Sequence, residues 1–144
     1  MAGSKLNLAI SALVEIYKSG RKGPVGAGEI SRATGLSKRY LEQVLGLLAK
    51  SGIVTSARGK NGGYELAASP DNIKLSDIWG AVREDITIPV NAGVTIAKAE
   101  DTSKNKAVAS IWRELHDIVS VYMKEQSLRT VALLDLESEE MYYI

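Results

Sequence analysis

Three glycines within Arg58-Gly59-Lys60-Asn61-Gly62-Gly63-Tyr64 forbid a continuous helix there and demand a turn carrying two cations. The flanks are of strand type. Ile53-Val54-Thr55-Ser56-Ala57 supplies β-branched residues on one side, and Tyr64 and Leu66 alternate with Glu65 on the other. A hairpin with a flexible basic tip is therefore expected, and such a ribbon suits a groove in a polyanion. Arginine at a loop tip can enter a narrow, electronegative minor groove and sense its width. An ordinary hairpin with a solvated turn is the competing reading, because glycine turns with a nearby Lys or Arg are common.

The residues upstream favour the first reading. Ala27 to Leu36 reads as a short helix closed by Gly35, a residue that tolerates the left-handed conformation at a helix end. Ser37 then sits where an N-cap belongs. The run Lys38 to Lys50 places Leu41, Val44, Leu45 and Leu48 at helical spacing, which assigns them to a core. Lys38, Arg39, Glu42, Gln43 and Gly46 fall on another face, with both cations at the positively polarised N-terminal end. That placement is unfavourable for an isolated surface helix and favourable if a polyanion approaches this end, as it does for recognition helices. A helix, a glycine turn, a second helix with a polar face and a basic hairpin together make a winged helix-turn-helix. The fold class expected is mainly α with a small β-hairpin.

These residues resemble a known family. Ser37-Lys38-Arg39-Tyr40-Leu41-Glu42-Gln43, then Leu47 to Val54, then Arg58-Gly59-Lys60-Asn61-Gly62-Gly63-Tyr64-Glu65-Leu66, are similar to the Rrf-two family of bacterial winged helix-turn-helix transcription regulators. The pairing of Ser-x-x-Tyr-Leu-Glu-Gln with Arg-Gly-x-x-Gly-Gly-Tyr at this separation is specific, and a looser likeness runs from Leu6 to about Leu136. The resemblance implies an opening helix, a post-wing helix, and a long C-terminal helix that dimerises. It also sets up a departure. Cluster-binding members carry three cysteines between the post-wing helix and the long helix, whereas this chain has none. Iron-sulfur clusters are held chiefly by thiolates, so no cluster and no other cofactor is expected. In this respect the chain is closer to the family's cysteine-metabolism repressor.

Composition sharpens the division of labour. The net charge is only +1, yet residues 1–65 hold ten Lys and Arg against four Asp and Glu, while residues 66–144 hold eight against thirteen. A basic first half and an acidic second half are what a nucleic-acid face plus a solvated regulatory half would give. No signal peptide is recognisable and no apolar stretch approaches the ~20 residues needed to span a bilayer, so a cytoplasmic protein without a membrane partner is expected. Catalysis lacks its usual groups. There is no Cys nucleophile, and the single histidine, His116, has no Gly-x-Ser-x-Gly elbow around it. Gly23 to Gly28 is glycine-rich but lacks the Lys-Ser or Lys-Thr of a phosphate loop. The adjacent acids Glu84-Asp85 and Glu100-Asp101 read as solvated loop residues, and His116 reads as a polar helix or interface residue.

Three segments follow from this reading: a winged helix-turn-helix domain over 1–83, with the helix-turn-helix at about 27–51 and the wing at about 53–67; a variable regulatory loop over 84–104; and a dimerisation helix with a C-terminal helix over 105–144. Leu6 to Tyr17 forms a strongly apolar opening helix. Ser76 is expected to cap a helix through Val82, with Trp79 in the core. Residues 84–103 lack a sustained period and are expected as an irregular loop or a short extended segment. Beyond them, Val108, Ile111, Leu115, Ile118 and Tyr122 step by threes and fours, while Trp112, Val119 and Met123 widen the stripe. So broad a face points to a homodimer, with Val108, Ile111, Trp112, Leu115, Ile118, Val119 and Tyr122 as its contact residues. Ser127 to Leu136 resembles the family's short terminal helix.

The function expected is a homodimeric, sequence-specific DNA-binding regulator, a repressor rather than an enzyme, whose partner is a double-stranded operator. Lys38, Arg39, Glu42 and Gln43 approach the major groove, with Gln43 suited to adenine, Glu42 to cytosine and Arg39 to guanine or phosphate, and Ser37 belongs to the same DNA-binding set. Arg58 is the minor-groove candidate and Lys60 its phosphate-contacting neighbour. Tyr40 serves either the DNA backbone through its hydroxyl or the core through its ring. Two alternatives remain open: a winged-helix module that binds a protein instead of an operator, and a sensor whose small-molecule effector enters the segment 85–103.

Overall fold

The computed structural model describes residues 5–20, 23–83, 86–88, 94–96 and 104–141. Helix α1 (Lys5–Lys18) is the hub, packing against α2 (Ala27–Thr34), α3 (Lys38–Lys50), α4 (Leu75–Val82) and α6 (Leu128–Met141), and against strand β2 (Gly63–Leu66). Its sequence explains that position. Leu6, Leu8, Ala9, Ala12, Leu13, Val14 and Ile16 are buried, more than half the circumference of the helix, so neighbours must cover it on several sides. From α3 the core receives Leu41, Val44, Leu45 and Leu48, the four positions marked by their spacing, each no more than 1% exposed. At roughly 1.5–3 kcal/mol for each large aliphatic side chain removed from water, this face holds α3 in place and leaves its other face free.

Two features set the angle between α2 and α3. Gly35 adopts φ 72°, and its N–H donates to the Ser31 carbonyl at 2.8 Å, closing α2 in the left-handed conformation. The hydroxyls of Ser31 and Thr34 then donate to the carbonyls of Leu36 and Ile30 at 2.5 and 2.7 Å, which ties the turn to the helix it leaves. Ser37 does occupy the N-cap position of α3, but its side chain makes no capping bond. The helix start is exposed, so water can satisfy the first N–H groups and the hydroxyl is not required there.

Strands β1 (Val54–Ala57) and β2 pair antiparallel, Val54 opposite Leu66 and Ala57 opposite Gly63, around the loop 58–62. After the wing, α4 begins at Leu75, with Lys74 as its N-cap residue, and this corrects the expectation that Ser76 caps it. Asp77 performs the closure: its carboxylate accepts from the Lys74 N–H at 2.9 Å, and a negative charge in the first turn also suits the helix dipole.

Of the two outcomes expected for this segment, an irregular loop or a short extended stretch, the described residues realise the second as an antiparallel pair, β3 (Ile86–Ile88) and β4 (Val94–Ile96), with Ile86 opposite Ile96. Two β-branched triplets, Ile-Thr-Ile and Val-Thr-Ile, favour strands, and turn formers lie between them. The acids Glu84, Asp85, Glu100 and Asp101 lie outside the described residues. Helix α5 (Lys106–Glu125) starts at Asn105, whose side-chain oxygen accepts from Ala107 N at 3.0 Å and Val108 N at 3.4 Å.

Helix α6 runs to Met141, farther than the Ser127–Leu136 stretch expected. It folds back on α1 because the α5–α6 junction is stitched to the start of α4, with Leu75 N donating to the Gln126 carbonyl and Leu128 N to the Ile73 carbonyl. Two ion-pair clusters complete the clasp. Lys18 of α1 meets Asp135 at 3.1 Å and Glu139 at 2.6 Å; Arg129 meets Asp71 at 2.6 Å and donates to the Tyr17 hydroxyl at 3.2 Å. The hydrogen bond that Lys18 donates to Glu139, with Asp135 and Glu15 beside it, holds the Lys18 ammonium well above the usual lysine range despite its partial burial.

Candidate nucleic-acid interface

On α3, Lys38, Arg39, Glu42, Gln43 and Gly46 are exposed on one side while the four core positions anchor the other. Tyr40 is half-buried with its ring against the core, so the packing role left open for it is realised. Ser37 is exposed at the N-terminal end of the same face.

The wing's position comes from a contact that sequence reasoning did not mark. Val25, just before α2, exchanges two backbone hydrogen bonds with Tyr64, N to O at 2.9 Å in each direction. The hairpin is thereby fastened to the helix-turn-helix rather than swinging free. This close approach needs Gly63: its φ is 150°, and a Cβ there would lie 2.3 Å from the Val25 carbonyl oxygen. Arg58 and Lys60 stand exposed in the loop that this anchor holds out.

The face also carries cations without carboxylate partners among the described residues. Lys18 and Arg129 are engaged with carboxylates. Arg32, Lys38, Arg39, Arg58 and Lys60 form no ion pair among the described residues. Uncompensated cations spread over α2, α3 and the wing tip make a surface that a polyanion would neutralise. Arg32 was not singled out from the sequence; its exposed place on a helix whose apolar positions are Ala27 and Ile30 was the available signal.

The sequence pattern of the Rrf2 (Rrf-two) family, described as iron-dependent transcriptional regulators, matches residues 2–133. The chain belongs to the Rrf2 family. It is 32% identical over 126 residues to the HTH-type transcriptional regulator IscR of Aliivibrio salmonicida, covering 87% of this chain and 73% of the relative. Among solved structures, CymR, the global cysteine regulator of B. subtilis, superposes with a TM-score of 0.73 at 27% identity over 93% of this chain and 97% of CymR. T. potens IscR gives 0.71 at 26% identity over 99% and 96%. These relatives are transcriptional regulators and not enzymes, and the winged-helix architecture they share is the one described above.

An iron-sulfur cluster does not fit the donors of this Rrf2 member. The whole chain has no cysteine, and among the described residues no three His, Cys, Asp or Glu side chains gather as metal ligands. His116 instead packs its ring against Trp79 of α4, centroids 5.9 Å apart, while its Nδ1 lies 3.5 Å from the Ser120 hydroxyl. Trp79 itself is half-buried against the core. Among the described residues no helix is long and apolar enough to cross a membrane.

The C-terminal helices present two kinds of apolar residue. Leu115 and Val119 are half-buried and Met123 is buried, so this side of α5 turns towards the protein's own core. Ile111, Trp112, Ile118 and Tyr122 are 54–62% exposed, and Val108 is 39% exposed. Val121 of α5 and Leu133 and Leu134 of α6 join them, although they were not among the residues expected at an interface.

Proposed function

We propose that this protein is a homodimeric, sequence-specific DNA-binding repressor that works without an iron-sulfur cluster. The observation that carries the proposal is the fastening of the wing to the segment that enters the helix-turn-helix. The Val25–Tyr64 bonds tie the wing that carries Arg58 and Lys60 to the segment entering α2, whose Gly35 turn leads into α3 with Lys38, Arg39, Glu42 and Gln43, so one surface can address a major groove and the neighbouring minor groove together.

Dimerisation is supported by the outward apolar side of α5 and α6. Isolated exposed apolar residues are ordinary, but Ile111, Trp112, Ile118, Val121, Tyr122 and Leu134, each more than half exposed, exceed what a monomer usually leaves in water. A second copy of the chain is the occupant proposed, and it would match a twofold operator. The inward side, with Leu115, Val119 and Met123, serves the protomer itself. The signal is proposed to be a metabolite or a partner protein, because the thiolates of a cluster are missing.

Selection of bound sequences from random duplexes tests the reading, with a palindromic motif as the expected result. On the selected duplex, Arg58→Ala should weaken binding by about 1–3 kcal/mol in an anisotropy titration. Unchanged affinity would remove the wing from the interface, and the absence of any preferred sequence would favour a protein-binding module.

A further inference from the structure

Between the wing loop and the first two turns of α2 lies a trough of about 460 Å³. Four glycines and a proline, Gly23, Pro24, Gly26, Gly28 and Gly62, line it together with Glu29, Arg32, Lys60 and Asn61. A Cβ built on Gly26 would sit 3.9 Å from the Gly62 carbonyl oxygen, so a side chain at this position would reach across the trough to the wing. At Gly28 a Cβ would meet nothing within 4 Å, which marks the open floor. Arg32 and Lys60 flank this space, neither with an ion-pair partner among the described residues. Glu29 is the one acid of the lining, and it already has an interaction partner.

We infer that this trough seats the sugar-phosphate strand running between the major groove and the minor groove, with Arg32 as a positioning residue opposite Lys60. The inference rests on the DNA-binding reading above and deepens it. A helix in one groove and a loop in the next must straddle one backbone strand, and that strand needs a passage clear of side chains. Glycine-lined walls provide the clearance. A guanidinium on one side and an ammonium on the other neutralise the phosphates, the guanidinium being able to bind two oxygens of one phosphate at once. Contacts of this kind fix register and carry no sequence information. Arg32 and Arg58 should therefore fail in different ways when removed.

The test uses the full-length protein and fluorescence anisotropy on the selected duplex and on an unrelated duplex, across a salt series. Arg32→Ala should weaken both by a similar factor, roughly five- to tenfold at ~0.1 M salt, and flatten the log–log salt slope by about 0.9, the contribution of one phosphate. Arg32→Lys should restore most of the slope because the charge returns. Gly28→Leu supplies an independent arm: the position is helical and open, so the variant should melt no lower than wild type while binding both duplexes at least tenfold more weakly. An unchanged slope in Arg32→Ala, or full affinity in Gly28→Leu, overturns the inference while wild-type binding leaves the regulator reading intact. Failure of the wild type to bind either duplex overturns both.

Discussion

Replacing Gly63 by Ala puts the coupling between wing and helix-turn-helix to a quantitative trial. The new methyl carbon would lie 2.3 Å from the Val25 carbonyl oxygen and 2.8 Å from the Gly26 nitrogen, both backbone atoms that cannot rotate away. Relief requires separating Val25 from Tyr64, which sacrifices two hydrogen bonds of 2.9 Å. Their net worth is about 0.5–1.5 kcal/mol each, and holding a non-glycine residue at φ 150° adds about 1–3 kcal/mol where the backbone cannot relax. The expected loss is about 2–6 kcal/mol, or roughly 6–20 °C in melting temperature for a chain of this size. Gly28→Ala is the control, since that glycine sits in a helix with open space at its Cβ and the change should be neutral or stabilising by up to about 1 kcal/mol. Calorimetry reports the stability, and amide exchange at Val25 and Tyr64 reports whether the bridge opens. If Gly63→Ala melts with Gly28→Ala and keeps both amides protected, the wing is not held in the way described.

Other consequences are measurable with simpler changes. Ile118→Arg combined with Leu134→Arg, both on the outward side of the C-terminal helices, should shift the protein from dimer to monomer in sedimentation while leaving its helical circular dichroism unchanged; a persisting dimer would place the interface elsewhere. The Arg129 hydrogen bond holds the Asp71 carboxyl below its ordinary value of 3.8. The folded state therefore binds the proton less readily than the unfolded chain. The pair's contribution is present above that value and disappears as pH falls through the folded pKa. Asp71→Asn should accordingly differ from wild type in melting temperature near neutral pH and converge with it in acid, and a gap that widens in acid would refute the sign. Anaerobically purified protein should be colourless, because no thiolate is available, and visible absorption from a cluster would contradict this.

The parts of the site that were legible in the sequence are those encoded by short-range pattern. The spacing of Leu41, Val44, Leu45 and Leu48 identifies the buried face of α3 and so, by exclusion, its free face. Gly35 marks the turn, and the glycines of 58–63 mark the wing tip. Arg32 escaped notice because a single exposed cation on a short helix has no pattern of its own. It gains meaning only when the trough brings it near Lys60. The cap of α4 was misplaced by two residues because Ser76 and Asp77 are both good first-turn residues, and the hydrogen bond to Lys74 N chooses between them.

Sequence alone determined the class of the fold, the two helices and basic hairpin of the reading head, and the lack of any thiolate for a cluster; each depends on residue types at separations of a few positions. The tertiary structure decided which side of α5 is the protein's own. A heptad-like stripe is symmetric with respect to neighbours, and only the approach of α4, with Trp79 against His116, turns Val119 and Met123 inward and leaves Ile111, Ile118 and Tyr122 outside. It also decided that α6 returns to α1 through Lys18 and Arg129, and that Val25 grips the wing. Those contacts join residues far apart in the chain, where periodicity carries no information and the closing of the core selects the partners.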